Sequence, residues 1–341
     1  MNRMTRTLVK RFVYLLLVLI GLSVLIFTMA RIMPGDPIRM ALGARAPQWV
    51  VEQTIEQNHL NDPIYVQYYY WFKGILHGDL GFSWTTRRPV LEDIKAFFPA
   101  TLELVVYADI LILFFGLLLG SLAGFFHNTW KDNFLRMAAY VGVSAPPFVF
   151  AIVLMIIFGD ILNILPIMGR LSQGVAAPRA ITHFFTIDAL LTGDFATFWD
   201  AIKHLIIPIV SLALKPISEL ARLTRAGIIE NSEKDYITAA KSYGMSDRLI
   251  MSKYLLKPSI IPAISLFGLT SIQLLPHAFI VESILNWPGI SRYGMITLLN
   301  KDLNAIIAEV LLVGVLFIIS NILVDFTTRL LDPRISIREG V

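Results

Sequence analysis

The chain has 341 residues, 56% of them hydrophobic and only 16% charged, and its mean hydropathy is +0.66. With no cysteine and a net charge of +4 spread along its length, it excludes disulfide frameworks, thiolate metal sites and a cysteine nucleophile, and it lacks the concentrated basic surface of a nucleic-acid binder. Such a composition belongs to a membrane protein, because a soluble chain is nearer a quarter charged and needs no apolar runs of about 20 residues.

The first element is a basic head, Arg3, Arg6, Lys10 and Arg11, followed by an apolar run from Phe12 to Ala30. That run exceeds the roughly 7–15 residues of a secretory signal core, and no small-x-small site follows it, so it is expected to stay as a membrane helix. Apolar segments lie near 12–31, 101–126, 137–158, 204–229, 259–283 and 305–328. The expected fold is an all-α integral membrane protein of about six transmembrane helices. Residues 33–99 form a polar stretch in which "PGDP" at Pro34–Pro37 and "GDLG" at Gly78–Gly81 read as turns and Trp49–His59 as a short helix.

An even number of spans puts both termini on one side. Lys131, Arg136, the run from Arg222 to Lys257, and Arg329, Arg334 and Arg338 fall on the same side as the basic head, so the positive-inside rule makes both termini cytoplasmic and leaves 40–95 and 165–200 external. Prolines interrupt the spans at Pro146–Pro147, Pro208, Pro216, Pro262 and Pro276. They fit either ordinary kinking or a bundle bent around a water-filled path. His77, His183, His204 and His277 are scattered without metal-ligand spacing, and no residues fall into a catalytic constellation.

The cytoplasmic stretch Arg222–Pro262 is the most informative. Ser232 is expected to cap a short helix with Glu233 and Asp235 in its first turn, Lys241 in its last and Gly244 ending it in the left-handed conformation. Tyr236, Ala239, Ala240 and Tyr243 fall at i, i+3, i+4 and i+7 and share a face. Periodicity alone leaves open a helix lying on the bilayer or a knob for a partner's groove. A second helix is expected from Ser246 to Leu256, breaking before Pro258.

Here the sequence resembles the permeases of the dipeptide/oligopeptide group of binding-protein-dependent ABC importers. The resemblance is carried by "PGDP", "NDPIYVQY" (61–68), "GDLGFS" (78–83), "FPATLEL" (98–104), "SAPPF" (144–148), "LPIMGR" (165–170), "HLIIP" (204–208), "ARLTR" (221–225), "DYITAAKSYG" (235–244), "VESILNWPGISR" (281–292) and "DPR" (332–334). Two positions depart from the pattern: Thr238 stands where the superfamily motif has glutamate, and Pro258 where this group usually has Asn.

The resemblance implies a type I ABC importer permease in the cytoplasmic (inner) membrane. Residues 1–98 would form an N-terminal helix and external segment, 99–331 the permease domain and 332–341 a cytoplasmic tail. The helix bearing Glu233, Asp235, Tyr236, Ala239, Ala240, Tyr243 and Gly244 would sit in a cleft of an ATPase subunit. The chain has no G-x-x-x-x-G-K-[ST] run and no cofactor of its own, so ATP and Mg would be used by separate subunits. The implied partners are a second homologous permease, two ATPases, an extracytoplasmic solute-binding protein and a peptide cargo, with oligosaccharide, nickel chelate or haem as alternative cargoes. A secondary carrier would need an inverted repeat or an ion site, and neither is evident.

Charges inside the spans supply candidates for the path. Lys215 and Glu219 lie one turn apart, and either neutralise one another or line a polar passage. Glu282 and Trp287, beside Pro288–Gly289, read as interfacial anchoring or as a loop at the outer mouth. Glu103, Asp109, Glu309 and Asp325 sit on different helices, mainly towards span ends, which disfavours a proton relay.

Overall fold

The computed structural model describes residues 3–32, 47–57, 59 and 61–331. The Pro34–Pro37 turn, the "DPR" run, the 332–341 tail and the side chain of Asp325 lie outside the described residues. In chain order the elements are α1 (Arg3–Ile32), α2 (Gln48–Gln57), α3 (Ile64–Leu76), the antiparallel pair β1 (Phe82–Ser83) and β2 (Arg88–Pro89), α4 (Val90–Phe125), α5 (Trp130–Ser144) and α6 (Pro147–Ile161). Then come α7 (Phe185–Thr192), α8 (Phe195–Ser232), α9 (Asp235–Ser242), α10 (Asp247–Ile284), α11 (Ile290–Leu299) and α12 (Leu303–Leu331). Two of them loosen to π-helix, α6 over Met155–Ile161 and α10 over Ile250–Leu255.

Five stretches are long and apolar enough to cross a membrane: Val13–Ile32, Val90–Phe125, Phe195–Ser232, Asp247–Ile284 and Leu303–Ile322. The expected third span, 137–158, is not one straight helix. α5 and α6 are bent by 103° at the break between them, and only when taken together are they long and apolar enough to count as a sixth span. The cause is local. A proline pushes the residue before it out of the helical region, and both Ala145 (ψ 154°) and Pro146 (ψ 154°) are extended. Pro147 then opens α6 where its missing N–H has no helical partner to lose.

The described residues fall into two compact units, one within Met1–Pro99 and Pro288–Ile319, the other within Ala100–Trp287 and Ser320–Val341. In the first, Phe27 and Ala30 of α1 pack with Leu303 and Ile307 of α12 and with Tyr68 and Trp71 of α3. Tyr68 stands edge-on to Phe27 at 5.4 Å, and its hydroxyl lies 2.8 Å from Ser23 Oγ, so the polar tip of a largely enclosed ring is satisfied. The hairpin after "GDLG" folds onto Asp302, whose Oδ2 accepts from Ser83 Oγ at 2.7 Å and from the Thr85 N–H at 2.9 Å.

The second unit is wound on α8, against which α5, α6, α7 and α10 pack. α4 reaches it through a seam of Gly116, Gly120 and Gly124, which lie against Leu220, Ala221 and Ile228. A Cβ at Gly120 would come 2.5 Å from the Ala221 carbonyl oxygen, so only glycine permits the approach. Small-residue seams hold membrane helices together by packing, since lipid supplies no hydrophobic drive between them. Leu104, Ile112, Leu205, Leu212, Leu274 and Trp287 fill the core of this unit.

Candidate functional site

The loop between α8 and α10 is built differently at its two ends from the sequence expectation. α8 runs through Ser232, whose Oγ bonds back to the Ile229 carbonyl at 2.7 Å, so Ser232 closes α8 rather than capping α9. Lys234 takes the N-cap place in extended conformation without a side-chain cap bond, and pairs with Glu230 at 3.3 Å. Glu233 lies in the link, and Asp235 opens α9, where the helix dipole favours its charge. The other end agrees with expectation. Gly244 has φ +72°, its N–H reaches the Lys241 carbonyl at 2.9 Å, and the Met245 N–H reaches that of Ala240 at 3.2 Å, a Schellman closure.

The stripe of Tyr236, Ala239, Ala240 and Tyr243 does not form one outward face. Ile237 and Ala240 turn inward, 1% and 5% exposed, onto Ile250 and Leu255. Ile237 is the largest apolar side chain on α9 free of a polar tip, and it decides which side is buried. Tyr236, Ala239 and Tyr243 remain outward, Tyr243 at 84%.

Tyr236 also works inward. Its hydroxyl lies 3.3 Å from both Asn231 Oδ1 and the Tyr254 carbonyl oxygen. Pro258, four residues on, has no N–H to offer that carbonyl. The expected break before Pro258 is absent: the helix continues through it to Ile284, with the π-helical stretch just upstream. Asn231 in turn donates to Ser259 Oγ at 3.1 Å, at a crossing where a Cβ on Gly227 would lie 2.9 Å from the Ser259 carbonyl oxygen. The short helix is thus fixed to both long helices that leave the loop.

Two of the path candidates prove to be enclosed. Trp287 is 1% exposed with its indole N–H donating to the Ala100 carbonyl at 3.0 Å, and Glu282 is 0% exposed. A buried indole needs an acceptor for its N–H, and α4 provides one. Beside Trp287, two distant motifs meet. Arg170 of "LPIMGR" donates to Glu103 of "FPATLEL" at 2.6 Å and to the His183 carbonyl at 3.2 Å. Glu103 accepts from the Thr186 N–H at 3.0 Å and hydroxyl at 2.6 Å, while the Arg170 guanidinium stands 3.5 Å over the Phe185 ring. Burial pulls the Arg170 pKa down, and Glu103 opposes it. Nearby, burial would raise the Asp188 carboxyl, but hydrogen bonds from Thr182, Ile181 and His183 outweigh it and hold it below the usual carboxylate range. Sequence reading flagged Glu103 only as an acid near a span and missed Arg170. The signal available was an arginine and a glutamate in two separate family motifs.

Lys215 and Glu219 are half-buried and, among the described residues, form no ion pair within 4 Å. The self-neutralised pair therefore does not form. Lys preceding Glu by four residues is the weaker orientation for such a pair on a helix. Arg225, further along α8, is instead taken up by Asp132 through two 2.7 Å bonds. Asp109 Oδ2 accepts from Ser271 Oγ at 2.6 Å, joining α4 to α10.

The bundle wound on α8, with a short helix tied to both long helices at its end, defines a multi-pass membrane protein. The family described as "Binding-protein-dependent transport system inner membrane component" matches residues 116–337, and its N-terminal companion, "Binding-prot-dependent transport system membrane comp, N-term", matches residues 4–105. The chain is 36% identical over 321 residues, 94% of each chain, to the Escherichia coli (strain K12) protein named "Probable D,D-dipeptide transport system permease protein DdpB". It is 33% identical over 330 residues, 96% of this chain and 98% of the other, to the dipeptide transport system permease protein DppB of Alkalihalophilus pseudofirmus. It is 31% identical over 326 residues, 96% and 97% of the two chains, to the glutathione transport system permease protein GsiC of Salmonella typhimurium. The chain belongs to the family of binding-protein-dependent transport system inner membrane components, the permease subunits of ABC importers.

Proposed function

We propose that the chain forms half of a peptide-conducting pore, working by alternating access and performing no covalent chemistry on its cargo. The relatives named for dipeptides and glutathione support a short-peptide cargo. The pore is completed by a second, homologous permease. Two ATPase subunits hydrolyse ATP with Mg, and an extracytoplasmic binding protein delivers the peptide. Both termini and α9 lie in the cytoplasm. Residues 1–98 form the N-terminal helix and external segment, 99–331 the permease domain and 332–341 the tail.

The observation that carries this reading is α9. Its inner side is fixed to α8 and α10 through Ile237, Ala240 and the Tyr236 hydroxyl, while Ala239, Tyr243 and part of the Tyr236 ring are exposed on the outside. A helix held that way passes a push from an ATPase cleft directly to two spans. Glu233, Asp235 and Gly244 set its ends. Lys215 and Glu219, charged and without partners within 4 Å among the described residues, are the path candidates that survive, with Glu282 and Trp287 supporting the walls from behind.

The test is uptake by the four-subunit complex in proteoliposomes with its binding protein. A labelled dipeptide should accumulate only with ATP, and a labelled oligosaccharide should not. Dipeptide uptake without the ATPases would favour a secondary carrier and overturn the reading.

A further inference from the structure

We infer that the angle between α4, α5 and α8 is a binding site for an anionic phospholipid of the leaflet facing the α8–α10 loop. A cavity of 420 Å³ opens there. Its long axis is fixed by the helix contacts around it. Asp132 at the start of α5 bonds Arg225, whereas Gly142 near the end of α5 lies against Ser218 and Leu214, so α5 runs antiparallel to α8. The cavity therefore has a polar rim, carrying Arg136, Arg222 and Arg225, and an apolar depth, carrying Val143, Leu214 and Ile217.

Charge decides the occupant. Arg225 is neutralised by Asp132. Arg136 and Arg222 are exposed, and among the described residues neither has an ion-pair partner within 4 Å. Glu219, three residues before Arg222, makes no bridge to it and does not line the cavity. Arg136 feels Asp132 one turn away only as a longer-range attraction, shared with Arg225, and Arg222 has no contacting anion among the described residues. Two guanidiniums free to take a further anion thus stand at the mouth of an apolar slot and call for a ligand with an anion at one end and hydrocarbon behind it. Arginine forks phosphate oxygens in a geometry suited to that end. From Arg222 to Leu214 the helix rises about 12 Å, most of the roughly 15 Å depth of one hydrocarbon leaflet. Trp130, 74% exposed, and Lys131 stand at the start of α5, the residue types that mark the headgroup level. Basic pockets between spans on this side of a membrane are suited to anionic headgroups.

The site rests on the membrane placement of the family, not on the cargo or the ATPase contact, so its test is independent of transport. The assembled complex, stripped of lipid in detergent, is titrated with phosphatidylglycerol or with phosphatidylcholine of the same acyl chains, and bound lipid is counted by native mass spectrometry. The expected result is a phosphatidylglycerol site that weakens about tenfold or more in Arg136→Gln/Arg222→Gln but not in Lys203→Gln, a charge removed at the far end of α8. Glycerol 3-phosphate, which has the anion without the chain, should not displace the lipid. Equal binding of both lipids, displacement by glycerol 3-phosphate, or unchanged binding in the double variant would overturn the inference. So would efficient crosslinking of Ala139→Cys, in the cavity wall, to the second permease in the membrane.

Discussion

The two ends of the second unit solve the same problem, fixing a connecting segment to long helices, by opposite means. At the Glu103–Arg170 end the connection is sealed: the ion pair is 1% and 8% exposed, the Thr186 N–H and hydroxyl both donate to the carboxylate, and the buried Trp287 lies alongside. At the α9 end no buried charge is used. A small apolar cluster and neutral bonds from Asn231, Ser259 and Tyr236 hold the helix, and its other side stays open. A buried ion pair resists any rearrangement that separates its members, because each charge would be stranded. Neutral bonds can exchange with water at about 0.5–1.5 kcal/mol each. The first end is therefore the costlier to rearrange, and the second the less costly.

The contrast can be broken most forcefully at the sealed end. Arg170→Met strands the Glu103 carboxylate and is expected to cost about 3–5 kcal/mol, whereas Arg170→Met/Glu103→Gln should be distinctly milder. Thermal unfolding of the detergent-purified complex compares them, and equal losses would mean that the pair contributes as packing alone. At the open end Gly244→Val adds left-handed strain of about 1–2 kcal/mol. It should leave membrane insertion and accumulation intact while lowering substrate-stimulated ATP hydrolysis, and a protein lost from the membrane would contradict the division of labour. Smallest in stability is Tyr236→Phe, which removes only the hydroxyl facing the Tyr254 carbonyl, at about 0.5–1.5 kcal/mol. Peptides moved per ATP hydrolysed should fall, with the ATPases still bound. An unchanged ratio would reduce the hydroxyl to an incidental contact.

These residues also mark where sequence stops being sufficient. Hydropathy located the spans because a stretch of about 20 apolar residues has few other uses. The proline pair at Pro146–Pro147 announced a break, but its angle depends on what α5 and α6 pack against. Gly244 was legible because positive φ is a local demand that glycine meets. The orientation of α9 was not, since the stripe of tyrosines and alanines was counted without Ile237, which seeks burial against α10 residues distant in sequence. Ser232 looks like a cap by type, yet its hydroxyl is satisfied by the turn behind it. The Glu103–Arg170 bond joins residues 67 apart, and nothing in spacing announces it. Trp287 by type suggests the headgroup level, and only the Ala100 carbonyl explains its burial.

The central claim is that the outward side of α9 is where ATP hydrolysis is felt by the pore. Ala240 is a poor probe, because its side chain is buried within the loop itself, whereas Ala239 is exposed. The measurement is retention of the ATPase subunits and substrate-stimulated ATP hydrolysis by the complex carrying Ala239→Glu, beside Lys234→Ala on the link. A charge and added volume in a close contact, where overpacking costs about 1–3 kcal/mol, should release the ATPases or abolish stimulation, while Lys234→Ala stays near wild type. Full retention and wild-type stimulated turnover in Ala239→Glu would contradict the account and leave α9 as a helix lying on the bilayer surface.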